Sequence, residues 1–245
     1  MFPPDFFSPT LIYAIATAVA AGLLRGFAGF GSGMVTVPIL SLLYGPATAI
    51  AVCMLMEMFG TVQLLPKAVR NCDWGQILPM SACVILAIPL GTWLLLLLDP
   101  ALVRRGIGVL VLCFVAVMAL GWRYAGPRGL LPSSLVGLVS GVMVGISGIG
   151  GPPVIFYFLS SPDPVARSRA NIIVFLAVSG VGVVASLWWN GLIDMAVLAR
   201  AVVLVVPFML TGMLGARLFN PANEKLYRRA ALALLAMVGV SALVL

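Results

Sequence analysis

Gly145-Ile146-Ser147-Gly148-Ile149-Gly150-Gly151-Pro152-Pro153 lies inside an uncharged stretch running from 129 to 162. As one helix those 34 residues would be about 51 Å long, against a hydrocarbon core of roughly 30 Å. Glycine and proline crowd the middle of that stretch, where neither supports a continuous helix, so the chain is expected to break there and turn. About ten residues then remain before the polar segment Ser160 to Arg169, enough for roughly 15 Å, or half a bilayer. The expected figure is a helix, a break and a half-helix coming back.

The same figure occurs earlier. Gly26-Phe27-Ala28-Gly29-Phe30-Gly31-Ser32 lines up with Gly145 to Gly151 at an offset of 119. Asp73 matches Asp194, Gly91 matches Gly212, and Asp99-Pro100 matches Asn220-Pro221, all at an offset of 121. Arg104-Arg105 then matches Arg228-Arg229 after a three-residue insertion. Two repeats follow, 1 to 125 and 126 to 245, each a broken hairpin and three spanning helices. Those helices are expected at about 47 to 66, 75 to 98 and 105 to 122, and at about 167 to 189, 195 to 217 and 229 to 245. Together they form one transmembrane domain, of a kind from which transporters are commonly built.

Composition agrees. Of 245 residues 62% are hydrophobic and only 9% charged, with a mean hydropathy of +1.18. A water-soluble surface needs roughly a quarter of its residues charged, so the fold class is an all-α polytopic membrane protein. Outer-membrane barrels would show short alternating segments instead of helix-length apolar runs. The net charge of +7 sits as pairs between those runs, which is membrane topology and not a nucleic-acid footprint. With no histidine and no C-x-x-C spacing among Cys53, Cys72, Cys83 and Cys113, metal, disulfide and His-based hydrolytic chemistry are disfavoured, and no cofactor is called for. The start, Met-Phe-Pro-Pro-Asp5, lacks a positive leader region, so the first apolar run is expected to stay as a spanning helix.

Charge counting orients the chain. If each broken segment doubles back, Lys67, Arg70, Arg123, Arg128, Arg167, Arg169, Arg217, Lys225, Arg228 and Arg229 share one face and only Arg104 and Arg105 the other. That ten-to-two split outweighs the four-to-eight split of a single crossing, and it predicts repeats of inverted topology with both termini outside.

Irregular backbone at membrane depth is tolerated only where it is buried in protein or lines a polar cavity. The half-helix after each break offers free N-H groups and a positive dipole end to an anion. Candidate substrate-binding residues are therefore Gly29, Gly31, Ser32, Gly33, Ser147, Gly148, Gly150, Gly151 and Pro152. Arg25 joins them as an electrostatic partner and Asn171 as a hydrogen-bond donor or a cap. Glu57, in the middle of a spanning helix, is a coupling or gating candidate through a proton; its structural alternative is a pair with Arg25. Gly22, Gly26, Gly137, Gly141 and Gly145 recur at close-packing spacing, Met54, Met56 and Met58 read as packing, and Arg200 as a structural residue near a helix end.

Gly26-Phe-Ala-Gly-Phe-Gly-Ser-Gly33 with Val37-Pro38, and Gly145-Ile-Ser-Gly-Ile-Gly-Gly-Pro-Pro153, resemble the paired glycine runs of the sulfite exporter TauE/SafE proteins, also called 4-toluene sulfonate uptake permeases. The likeness spans nearly the whole chain. Ser32 inside the first run and Pro152-Pro153 ending the second depart from the family pattern. The resemblance implies movement of sulfite, sulfoacetate or another organosulfonate across the bacterial plasma membrane. The expected protein is a multi-pass secondary transporter whose partners are a small anionic substrate and the lipid bilayer. A passive anion channel and a membrane-embedded enzyme are the alternatives. Proton coupling and a homo-oligomer stay open, and no nucleic acid is implied.

Overall fold

The computed structural model describes residues 9–28, 31–62, 64–122, 124–160, 163–218 and 224–244; Gly29, Asn220, Pro221 and both extreme termini lie outside them. The apolar runs become α1 (Pro9–Ala28), α2 (Ser32–Tyr44), α3 (Pro46–Val62), α4 (Leu65–Asn71), α5 (Trp74–Leu97) and α6 (Pro100–Ala119). After them come α7 (Leu130–Ser147), α8 (Gly151–Leu159), α9 (Val165–Trp189), α10 (Met195–Leu218) and α11 (Glu224–Val244). Among the described residues there is no strand. Among the described residues six helices, α1, α5, α6, α7, α9 and α10, are long and apolar enough to cross a bilayer, and a bent α3–α4 pair would make a seventh.

Where the sequence predicts one helix over about 47 to 66, the structure has two, with a bend of 69° between α3 and α4. Pro66, in the first turn of α4, has no amide hydrogen to continue the ladder of α3, which gives the bend a local cause. Elsewhere short polar residues set the boundaries. Asp73 caps α5 by accepting from the Gly75 amide, Asp99 caps α6 from Ala101, and Asp194 accepts from the Val197 amide at the start of α10.

Both predicted breaks are present. α7 ends at Ser147 and α8 starts at Gly151, with Pro152 and Pro153 in its first turn, where a missing amide hydrogen costs little. The half-helix doubles back: the Ser133 hydroxyl near the start of α7 and the Tyr157 hydroxyl near the end of α8 are 3.1 Å apart. Ser160, just past α8, accepts from the Tyr124 amide just before α7. At the same end Asn171 Oδ1 accepts from the Asp73 amide, so the backbone around 73 and 124 and the residues Ser160 and Asn171 gather on one face.

Small residues decide how closely the helices cross. A Cβ on Gly26 would stand 2.4 Å from the Gly212 carbonyl oxygen, and one on Gly22 2.4 Å from that of Phe208, so α1 and α10 touch backbone to backbone. α5 and α7 do the same: a Cβ on Gly145 would lie 2.5 Å from the Ile88 oxygen, and one on Gly137 2.4 Å from that of Met80. Lipid tails are as apolar as leucine, so such backbone proximity, and not burial from water, drives helix association in a bilayer. The outward faces carry large apolar side chains such as Leu86, Trp188, Trp189 and Leu210.

Candidate functional site

The two breaks meet. A Cβ on Gly33, in the first turn of α2, would lie 3.6 Å from the carbonyl oxygen of Gly148, in the α7–α8 break. Left-handed backbone makes each turn: Gly31 caps the N-terminus of α2 at φ 90°, and Gly148 caps the C-terminus of α7 at φ 67°. A side chain would strain both positions. Gly148 is also hemmed in, with Val37 and Ile50 methyl carbons 3.2 and 3.3 Å from where its Cβ would stand.

Between the breaks lies a cavity of about 120 Å³. Gly31, Ser32 and Gly33 border it from the first break, Gly148, Gly150 and Gly151 from the second. Its walls come from the middles of α3 and α9. Met54, Glu57, Met58 and Thr61 fall at i, i+3, i+4 and i+7 and so share one stripe of α3, while Leu176 and Gly180 face them from α9. A void of about 150 Å³ accommodates benzene, so this one suits an ion or molecule of a few heavy atoms and no nucleotide or sugar.

Its polar chemistry centres on one ion pair. Arg25 Nη1, near the C-terminal end of α1, donates to Glu57 Oε2 at 3.1 Å, and Nη2 donates to the Thr61 hydroxyl at 3.0 Å. Thr61 in turn donates to the Glu57 backbone carbonyl. The second carboxylate oxygen, Oε1, accepts from the Ser32 hydroxyl at 2.5 Å. Phe208 lies under the guanidinium, 5.6 Å from ring centre to Cζ, in cation–π range. Both charged side chains are mostly covered, at 16% and 21% exposure, which makes their mutual compensation necessary.

The structure thus brings together Arg25, Gly31, Ser32, Gly33, Glu57, Gly148, Gly150 and Gly151. Ser147, Pro152 and Asn171 are placed differently. The Ser147 hydroxyl donates to the Met143 carbonyl and accepts from the Ile149 amide, so it shapes the turn. Pro152 is buried in the first turn of α8, and Asn171 is fully buried against Asp73 at the end of the bundle. Met54 and Met58, expected to be packing only, flank Glu57 on the cavity wall, whereas Met56 is buried in the core. Thr61 and the α9 wall were not anticipated; Ser179-Gly180-x-Gly182 within a spanning segment was the available signal. Arg200 stacks on the Tyr44 ring at 4.5 Å, at the opposite end of α2 from Ser32, as a structural residue would.

A small, mainly apolar chamber with one ion pair in its wall, set among helices of membrane length, is the anatomy of a multi-spanning membrane transporter. The chain belongs to the TauE/SafE sulfite exporter family, whose model matches residues 14–242. It is 30% identical over 224 residues to the probable sulfite/organosulfonate exporter TauE of Cupriavidus necator, covering 87% of this chain and 86% of that one. No solved structure matches it. The protein is accordingly a multi-pass transporter of the bacterial inner membrane.

Proposed function

We propose that the protein is a secondary transporter for a small sulfur-containing anion, sulfite or an organosulfonate, held between the two breaks with Arg25 nearby. The observation that carries this is the shared cavity: the first turns of α2 and α8 both border it, and Arg25 supplies a full positive charge. Each helix N-terminus contributes about 0.3–1 kcal/mol to an anion, and up to about 2 when partly buried. The cavity volume fits such an anion, and the name of the Cupriavidus necator relative supports the sulfur chemistry.

Alternating access in this reading rests on two inverted repeats, 1 to 125 and 126 to 245. Helix pairings support it: α1 packs on α10 and α7 on α5, α2 on α3 and α8 on α9, α3 on α10 and α9 on α5. Exchanging each helix for its counterpart turns one member of each of these three pairs into the other. Rocking one repeat against the other would open the central cavity to each side in turn.

Flux of labelled sulfite and methanesulfonate into proteoliposomes tests the proposal. The expected result is saturable uptake in which each anion competes with the other and which Arg25→Ala reduces at least tenfold, the loss of one charge-assisted contact. Flux that rises without saturation would make the protein a passive channel.

A further inference from the structure

The Glu57 carboxylate occupies the donors that an arriving anion needs. Oε2 takes Arg25 Nη1 and Oε1 takes the hydroxyl of Ser32, the first residue of α2, beside the cavity. An ionised Glu57 therefore leaves little net positive charge in the chamber, and a second anion would meet a carboxylate where it needs a guanidinium. No other described cation is positioned to offset this. Arg25 on α1 is the charged group facing Glu57 from a neighbouring helix, and Cys53 on its own helix is the nearby thiol. The described parts of α2, α7 and α8 carry no charged side chain, the charges of α9, Arg167 and Arg169, lie within its first five residues, and Arg200 and Arg217 of α10 lie toward the ends of that helix.

We infer that Glu57 is a tethered competitor of the substrate, so that each anion binds together with one proton taken up on Glu57, and the two cross the membrane in the same direction. This rests on the anion site proposed above. On loading, the proton goes from solvent to a Glu57 carboxylate oxygen, and the neutral carboxyl gives up the Arg25 and Ser32 hydrogens to an oxygen of the anion. On release, Glu57 ionises to the opposite compartment and retakes both donors, which also resets the empty carrier. With Glu57 neutral the chamber holds one full charge, on Arg25, and so favours a monoanion such as a sulfonate or hydrogensulfite over a dianion.

Binding of methanesulfonate to the detergent-solubilised protein, followed by isothermal titration calorimetry, separates the possibilities. Methanesulfonate stays a monoanion throughout, so any proton exchanged belongs to the protein. In buffers of different ionisation enthalpy the wild type should take up about one proton per anion at alkaline pH, with affinity falling by up to about tenfold per pH unit as pH rises. Glu57→Gln should bind with pH-independent affinity, at least tenfold tighter than wild type at about pH 8, and exchange no proton. A wild-type affinity flat with pH and without proton uptake, but lowered by Arg25→Ala, would overturn the competitor while leaving the site standing. Wild-type-like binding by both Arg25→Ala and Gly151→Ala, or no binding of methanesulfonate or sulfite, would overturn the site itself. The wild-type buffer comparison decides the matter even if Glu57→Gln does not fold.

Discussion

Gly33 and Gly148 come from opposite halves of the chain, yet a single Cβ on the first would touch the carbonyl oxygen of the second, at 3.6 Å. Their proximity is what turns two separate interruptions into one chamber. It also means that substitutions at the breaks act on packing as well as on the cavity, and the two effects must be separated residue by residue.

Gly150 and Gly151 are adjacent but unequal. A Cβ on Gly150 would stand 2.5 Å from Val144 Cβ and 2.9 Å from the Ser140 carbonyl oxygen, so Gly150→Val should prevent stable folding. On Gly151 the nearest atom is the tip of Ile155 at 3.2 Å, which can rotate away. Gly151→Ala should therefore insert and melt like wild type while weakening anion affinity about tenfold, by crowding the cavity's lining. Equal melting temperatures for both variants would contradict this division.

Removing either partner of the Arg25–Glu57 pair strands the other where only about a fifth of its side chain is exposed. Arg25→Gln and Glu57→Gln should each destabilise by about 1–3 kcal/mol. The double variant should cost less than the sum, since neither charge is then left alone. Melting curves in detergent on the two singles and the double give the coupling, and simple additivity would mean the pair does not hold the helices together.

Asn171 is committed to Asp73, whose amide donates to its side-chain oxygen at 2.7 Å. Asn171→Ala leaves that amide without its partner at the junction of α4 and α5, and should lower stability by about 1–2 kcal/mol. Its apparent affinity for sulfite in flux assays should stay at the wild-type value. A large rise in KM without loss of stability would return Asn171 to the binding site.

Cys72 reports topology in a variant lacking the other three thiols. Burial raises its pKa, a backbone hydrogen bond opposes this, and the nearby Asp73 charge raises it again. Because the thiolate is the reacting form, a raised pKa means slow maleimide labelling near neutral pH that quickens about tenfold per unit as pH rises toward the pKa. Labelling should occur from the cytoplasmic side only, in inverted vesicles and not in intact cells. The reverse pattern would overturn the proposed orientation.

The spans were legible because a bilayer tolerates few alternatives: charge-free runs of helix length had to be helices, and runs too long had to break. Gly148 to Pro153 announced its turn for the same reason. The interior of the site was harder to see. Met54 and Met58 lie on the stripe of Glu57, which becomes apparent only once that face is known to border a cavity. Gly150 and Gly151 look alike in sequence, and only the direction in which each would project a Cβ tells packing from lining. Asn171 finds its partner 98 residues away, a distance no local pattern spans. Ser32 resembled a donor to substrate, and in the structure that hydroxyl is already given to Glu57.

The glycine contacts of α1 with α10 and of α5 with α7 bear on how the protein is made. Gly26 meets Gly212, 186 residues further along the chain, so the first helix enters the membrane with its docking surface missing. At ribosomal speeds of about 5–20 residues per second, α1 waits on the order of ten to forty seconds for α10 to emerge. α5 waits less, for α7, but it too cannot dock within its own half. Neither half can close its packing alone, and assembly is a late event in which helices already inserted as separate spans find partners from the other end of the chain.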